Sequence, residues 1–248
     1  MKALITGGTS GIGLAMADEL LQKNYDVILV SRHPDDIQLL KDKHPSKSIE
    51  FFECDLSKEE ECYRLINTYP DIDLFINNAG FGDIGYITKT SLDKEVNMVK
   101  VNDIATLILV KSYLLKFIEK DKGKVLLVAS AASFGVAPYM NVYYATKSFV
   151  YSLAHGYYRE LKNMKSHVSI SVLCPGPVKT NFEQVANAKF NIGYISKEKC
   201  AKVAIKKFLK GKFCIVVTLK IKLAHLFSHF IPKKIISLAL NKQSEIKD

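Results

Sequence analysis

The residues with the clearest chemical content are Tyr143-Tyr144-Ala145-Thr146-Lys147, with Ser130 thirteen positions before Tyr143 at the end of the apolar run Val125-Leu126-Leu127-Val128-Ala129. Residues i and i+4 share one face of a helix, so Tyr143 and Lys147 can hold a phenol beside an ammonium. A free phenol ionises at about pH 10. A fixed cation favours the anion and would make Tyr143 a usable proton donor and acceptor near neutrality. Ser130, at the carboxyl end of a strand, could hold a carbonyl oxygen against that phenol. An ordinary amphipathic helix carrying an aromatic and a lysine would show the same spacing. Tyr144 sits about 100° further round the helix and reads as packing.

A second chemical signal lies at the amino terminus. Met1 to Thr6 reads as a short apolar strand, followed directly by Gly7-Gly8-Thr9-Ser10-Gly11-Ile12-Gly13 and then by the helical segment Leu14 to Leu21. Strand, glycine loop and helix start in that order can cradle a phosphate, because glycines allow close backbone approach while free N–H groups and the helix dipole favour an anion. The spacing is Gly-x-x-x-Gly-x-Gly rather than Gly-x-Gly-x-x-Gly. A glycine-rich turn without a ligand is the other reading of this loop alone.

Together these segments resemble the short-chain dehydrogenase/reductase family, over residues 2 to 217 and in the family's order. Its Thr-Gly-x-x-x-Gly-x-Gly loop is similar to Thr6 to Gly13, and its Asn-Asn-Ala-Gly segment to Asn77-Asn78-Ala79-Gly80. The family's helix asparagine resembles Asn102, its serine Ser130, and its Tyr-x-x-x-Lys pair Tyr143 and Lys147. The Pro-Gly segment that closes over the nicotinamide resembles Pro175-Gly176-Pro177-Val178-Lys179-Thr180. The resemblance implies catalytic roles for Asn102, Ser130, Tyr143 and Lys147. It also implies cofactor contacts from Gly7, Thr9, Ser10, Gly11, Ile12, Gly13, Asn78, Ala79, Gly80, Tyr143, Lys147, Pro175, Gly176, Val178 and Thr180. Lys147 would lower the phenol pKa and hold the nicotinamide ribose, and Asn102 would support a water refilling the proton relay. Family members commonly pair as homodimers or homotetramers.

The elements needed to position these residues are legible as alternating strands and helices without a linker. Strands are expected at Lys2 to Thr6, Asp26 to Val30, Ile49 to Glu53, Leu74 to Ile76, Lys124 to Ala129, Val168 to Leu173 and Phe213 to Val217. Most are nearly all apolar, as in parallel strands buried on both faces. Helices are expected near Gly13 to Lys23, Asp35 to Lys43, Lys58 to Thr68, Leu92 to Glu119, Val142 to Lys162 and Lys197 to Lys210, the third opening with a capping box at Ser57-Lys58-Glu59-Glu60. The pattern predicts an α/β fold: one Rossmann-type, doubly wound parallel sheet of about seven strands in a single domain spanning 1–248, with ligands outside the strands' carboxyl ends.

Cofactor choice can be argued from the end of the second strand, where NAD-preferring enzymes commonly carry an acid. Here the strand ends Val30-Ser31-Arg32-His33, with no carboxylate before Asp35. A hydroxyl and a guanidinium, Ser31 and Arg32, suit a 2′-phosphate, so NADP is expected over NAD. Arg32 as a solvated loop arginine is the competing reading. Asp55, followed by Leu56, resembles the family residue that meets the adenine. The wording of these segments is also similar to a bacterial, NADP-preferring branch with relatives among keto-acyl and hydroxysteroid reductases, which implies an apolar carbonyl or secondary alcohol as substrate. The segment after Thr180 lies where the family keeps a mobile lid, and its Phe182, Val185, Phe190 and Tyr194 would give an apolar wall.

Composition sets further bounds. Across 248 residues, 48% are hydrophobic, enough for a sizeable core without disulfides. The cysteines Cys54, Cys62, Cys174, Cys200 and Cys214 are scattered and odd in number, which suggests neither a disulfide framework nor a zinc site; no metal is expected. With an amino terminus that enters a strand at once, the expected location is the cytoplasm. Residues 1 to 196 balance 22 basic against 22 acidic side chains, whereas residues 197 to 248 hold 13 lysines against Glu198, Glu245 and Asp248, so the whole +10 sits in the last fifth. Residues 219–248 read as a basic, apolar helical extension. It could lie on an anionic membrane surface, wall a pocket for an anionic or acyl substrate, or finish the core behind a solvated lysine face. Nucleic-acid binding is disfavoured, since the charge is confined to that apolar tail. A non-catalytic NADP-binding regulator is the alternative to an enzyme, and intact Ser130, Tyr143 and Lys147 argue against it.

Overall fold

A computed structural model of the protein describes residues 1–186, 193–228 and 230–241. The strands are β1 (Lys2–Thr6), β2 (Asp26–Ser31), β3 (Ile49–Glu53), β4 (Leu74–Asn77), β5 (Lys124–Val128), β6 (Ser169–Leu173), β7 (Val178–Lys179), β8 (Ile195–Ser196) and β9 (Cys214–Ile215). The helices are α1 (Gly11–Leu21), α2 (Ile37–Lys43), α3 (Glu59–Thr68), α4 (Leu92–Val99), α5 (Ala105–Glu119), α6 (Asn141–Asn163), α7 (Phe182–Val185), α8 (Lys197–Leu209), α9 (Leu219–Ser228) and α10 (Lys233–Asn241). Seven strands form one parallel sheet in the order β3-β2-β1-β4-β5-β6-β9. The order reverses between β1 and β4, and a crevice opens beyond their carboxyl ends.

The two-residue period of the strands divides the core into two layers. Leu4, Ile28, Phe75, Val125 and Leu127 face α3, α5 and α6 through Leu65, Tyr113 and Val150. Ala3, Ile5, Leu29, Ile76 and Leu126 face α1 and α8 through Met16, Leu20, Ala204 and Phe208. Each large apolar side chain buried this way contributes about 1.5–3 kcal/mol, which explains why the strands are apolar throughout instead of alternating.

Four local departures from the sequence expectation have physical causes. The segment Leu92 to Glu119 is not one regular helix: α4 and α5 are joined by a π turn at Lys100–Ile104, where the Thr106 hydroxyl donates to the Asn102 carbonyl at 2.6 Å. The capping box at Ser57 does not form; Ser57 donates its backbone N–H and its hydroxyl to Asp55 at 3.0 and 2.8 Å, and α3 starts at Glu59 with no side-chain cap. The last strand narrows to Cys214–Ile215 at the sheet edge. Finally, β7 and β8 make a separate two-stranded parallel ladder, Val178 with Ile195 and Lys179 with Ser196, which ties together the two ends of the expected lid. Phe190 and the side chain of Val185, both expected in that lid, lie outside the described residues. No helix among the described residues is long and apolar enough to cross a membrane.

Candidate active site

The glycine loop and the end of β4 are knitted into one unit. Thr6 Oγ1 accepts from the backbone N–H groups of Asn78 and Ala79 at 3.0 and 3.1 Å, and Asn78 Nδ2 donates to the carbonyls of Thr6 and Gly7 at 3.0 and 2.9 Å. Gly13 must be glycine here: a Cβ would stand 2.1 Å from the Gly7 carbonyl oxygen and 2.6 Å from Asn78 Nδ2. The helix start is thereby drawn against the strand turn, and no side chain caps the first N–H groups of α1. Thr9, named from sequence as a cofactor contact, donates its hydroxyl to Asp35 at 3.0 Å, fixing the loop after β2 to the glycine loop.

At the other side of the crevice, Ser130 follows β5 and its hydroxyl accepts from Ala132 N at 3.1 Å, closing a 3-10 turn at Ala131–Phe134. Ser133 Oγ donates to the Lys147 carbonyl at 2.7 Å, pinning that turn to α6. Helix α6 is amphipathic, and its inner face buries Tyr143 (9% exposed) and Lys147 (5%). Burial pushes the Tyr143 phenol up to about 12; a hydrogen bond with Ser130 acts against that and neighbouring Tyr144 adds to it. The sequence expectation that Lys147 depresses this phenol is therefore corrected. Lys147 Nζ lies 5.9 Å from the Tyr143 ring centroid and donates to the Val128 carbonyl at 3.1 Å. Burial lowers the Lys147 ammonium to about 8, with Asp103 and Cys174 opposing the shift.

Asn102 is buried by the π turn, and its amide is fully engaged: Oδ1 accepts from Phe81 N at 3.1 Å, while Nδ2 donates to the Phe81 carbonyl at 2.9 Å and to Thr146 Oγ1 at 3.0 Å. Asn102 thus fixes the Gly80-Phe81 turn against α6 and does not line the cavity. A Cβ on Gly80 would meet Asn102 Oδ1 at 2.9 Å and Lys147 Nζ at 3.2 Å, so this approach requires glycine. Next to it, Asp103 has a buried Oδ1 with no hydrogen-bond partner among the described residues. Burial raises its carboxyl to about 6, and the Lys147 charge acts to lower it. Sequence reasoning missed Asp103, whose only signal is adjacency to Asn102.

At the far end of the sheet, Ser31 and Cys54 are joined by a backbone hydrogen bond at 3.0 Å, which brings the loops after β2 and β3 side by side. Burial pushes the Asp55 carboxyl up, but the hydrogen bonds from Ser57 and the charges of Arg32 and Lys58 outweigh it and hold Asp55 below its usual value. Arg32 is exposed and stands close enough to Asp55 for this effect.

One cavity of about 700 Å³ runs along the crevice. It gathers Gly7, Ser10, Gly11, Ile12, Asn78, Ala79, Gly80, Ser130, Tyr143, Lys147, Pro175, Gly176, Val178 and Thr180 from the sequence-derived set. Thr9, Gly13, Ser31, Arg32, Asp55, Leu56 and Asn102 stand outside its lining. Its outer walls are apolar, with Phe134, Met140 and Phe182 from the body and Phe227, Ile236 and Leu240 from α9 and α10. Tyr144, read from sequence as packing, lines the cavity as well, its ring half-buried and edge-on to that of Tyr143 at 6.4 Å. The tail is held on by Ile221 over Gly176, by His225 stacked on Phe134 at 3.9 Å, and by a 3.3 Å hydrogen bond between His225 and Tyr151.

Comparison with known proteins agrees with this arrangement. Residues 1–191 match the short chain dehydrogenase family model. An uncharacterized oxidoreductase of Staphylococcus aureus (strain MRSA252) is 32% identical over 182 residues, covering 72% of this chain and 78% of that protein. The uncharacterized oxidoreductase YvaG of Bacillus subtilis is 30% identical over 184 residues, covering 72% and 68%. Among solved structures, a short-chain dehydrogenase from Sphingobium yanoikuyae in complex with NADPH superposes with a TM-score of 0.82 at 22% identity, over 92% of this chain and 93% of that one. A short chain dehydrogenase/reductase from Burkholderia phymatum in complex with NAD gives 0.82 at 20% identity, over 100% and 98%. The structural likenesses establish the fold, and the family match and the sequence relatives establish the rest: this chain belongs to the short-chain dehydrogenases and is an NAD(P)-dependent oxidoreductase.

Proposed function

We propose that the protein is an NADP-dependent carbonyl reductase or alcohol dehydrogenase for bulky apolar substrates. The observation that carries this reading is the single cavity in which Ser130, Tyr143 and Lys147 share one space with the glycine loop at one end and with an apolar wall at the other. The chain's own residues suit a dinucleotide. The close packing of Gly13 on Gly7 and the uncapped first turn of α1 suit the pyrophosphate, with Gly7, Ser10, Gly11 and Ile12 around it. Ser31 and Arg32 would hold the 2′-phosphate, Asp55 and Leu56 the adenine end, and Asn78, Ala79, Gly80, Lys147, Pro175, Gly176, Val178 and Thr180 the nicotinamide half. When bound, the cofactor supplies or accepts the hydride.

The protein's part in the chemistry is charge stabilisation and proton transfer. The hydroxyls of Ser130 and Tyr143 would donate to the substrate oxygen, and these hydrogen bonds strengthen as negative charge develops there. A phenol at about 12 is protonated at neutral pH and so is set as the proton donor when a carbonyl is reduced. Lys147, at about 8, still carries its proton at pH 7 and would replenish Tyr143 from the interior side. Asn102 holds the Phe81 turn and α6 in register. The apolar outer wall excludes water from the reacting end and selects against small polar carbonyls.

A turnover assay over a panel of carbonyls graded in size and polarity, run with NADPH and with NADH, tests the proposal. Reduction of large apolar ketones or acyl carbonyls with NADPH is the expected result. Tight NADPH binding with no turnover on any of them would favour a regulatory, non-catalytic role instead.

A further inference from the structure

Helices α9 and α10 have two apolar faces, and the cavity uses only one of them. The seam Ile221, His225 and Ser228 turns toward the body, while Leu219, Leu223 and Leu226, spaced i, i+4 and i+7, form an outward stripe, and Phe230, in the turn after the helix, is exposed as well. Leu238 on α10, outside the cavity lining, is also exposed, and Phe230 is 78% exposed. An apolar row of this length in water marks a contact surface.

The charge around the row identifies what it contacts. Lys222, Lys233 and Lys234 are exposed on the same two helices, and none makes an ion pair among the described residues. No acidic residue occurs between Glu198 and Glu245. Lys222 also stands near Lys207: burial, and then the charges of Lys222 and of Lys212, draw Lys207 below the usual lysine range. Two copies of such a surface placed face to face would bring lysines against lysines. An anionic plane with an apolar interior, by contrast, satisfies both the cationic border and the row. We infer that α9 and α10 form a docking face for anionic phospholipid bilayers, with the Leu219–Leu226 stripe and Phe230 inserted and Lys222, Lys233 and Lys234 on the headgroups. This does not rest on the substrate assigned above.

The test is co-sedimentation of the full-length protein with phosphatidylcholine vesicles made with and without phosphatidylserine. Binding is expected only to the anionic vesicles, with release as ionic strength rises from about 0.1 to about 1 M and the screening length falls from about 10 to about 3 Å. Each lysine at such a surface is worth about fivefold in partitioning, so Lys222→Glu/Lys233→Glu/Lys234→Glu should lower binding by at least about a hundredfold. Leu226→Ser/Phe230→Ser should abolish it, and neither variant should change the thermal unfolding profile or the turnover of any carbonyl that the wild-type protein reduces, which also reports that each is folded. No binding of the wild-type protein to anionic vesicles at low salt overturns the inference. So does binding that both variants retain, or a dimer in light scattering that Leu226→Ser/Phe230→Ser dissolves, since the face is then a subunit contact.

Discussion

Replacing Lys147 by methionine should stabilise the protein while removing its turnover. Burial lowers the ammonium from 10.5 to about 8. At about 1.4 kcal/mol per unit, the protonated side chain is disfavoured in the fold by roughly 3 kcal/mol at neutral pH, relative to the unfolded chain. Methionine of similar volume removes that penalty but loses the 3.1 Å hydrogen bond to the Val128 carbonyl, which costs about 1–2 kcal/mol. The net gain is about 1–2 kcal/mol, or about 3–6 °C in Tm for a chain of this size. The gain fades with pH in a defined window. Because the folded pKa lies below the unfolded one, between about 8 and 10.5 the unfolded chain holds a proton that the folded chain has released, so wild-type stability from this group rises with pH there. The Tm advantage of the variant should therefore be constant below pH 8 and shrink toward pH 10. Paired thermal scans of cofactor-free protein from pH 7 to pH 10 measure it. A Lys147→Met protein that melts below wild type at pH 7, or a gap that does not change with pH, refutes the reasoning.

Other substitutions separate the remaining roles. Tyr143→Phe keeps the ring, packed 5.4 Å from that of Phe182, and removes the proton, so turnover should fall about 10²–10⁴-fold with NADPH affinity nearly unchanged in a fluorescence titration; retained turnover would take Tyr143 out of the donor role. Arg32→Ala should weaken NADPH about tenfold or more and leave NADH alone, since a charge-assisted contact to phosphate is worth about 1.5–3 kcal/mol; equal losses would mean that Arg32 does not read the 2′-phosphate. Truncation after Val217 removes Ile221 from Gly176 and Ile236 and Leu240 from Gly135, opening the cavity wall. The shortened chain should aggregate or lose turnover, and a soluble, fully active one would show that the tail is no part of the pocket.

How much of this was legible without coordinates differs from element to element. The strands could be placed because a parallel strand buried on both faces needs an unbroken apolar run, and Ala3-Leu4-Ile5 or Val27-Ile28-Leu29-Val30 admit little else. The glycine loop, Ser130, Tyr143 and Lys147 could be named because their chemistry depends on residue type at fixed local spacing, within a turn or along one helix face. The sequence also concentrated the charge excess and the apolar tail in one place. Tertiary structure alone decided the rest, since it depends on which distant groups share a low-dielectric space. Lys147 beside Tyr143 in a helix suggested a depressed phenol; once Tyr143 was buried, desolvation outweighed the hydrogen bond with Ser130 and raised it. Ser57 could cap α3 or bind Asp55, and the loop geometry after β3 chose Asp55. Asn102 sits in what reads as a continuous helix, and only the hydrogen bonds to Phe81 and Thr146, 21 and 44 residues distant, explain why the helix widens there. The tail's outward stripe and its cavity-facing side are equally apolar in the sequence, and only packing against Phe134 and Gly176 distinguishes them, because burial is a property of the partner surface as much as of the residue.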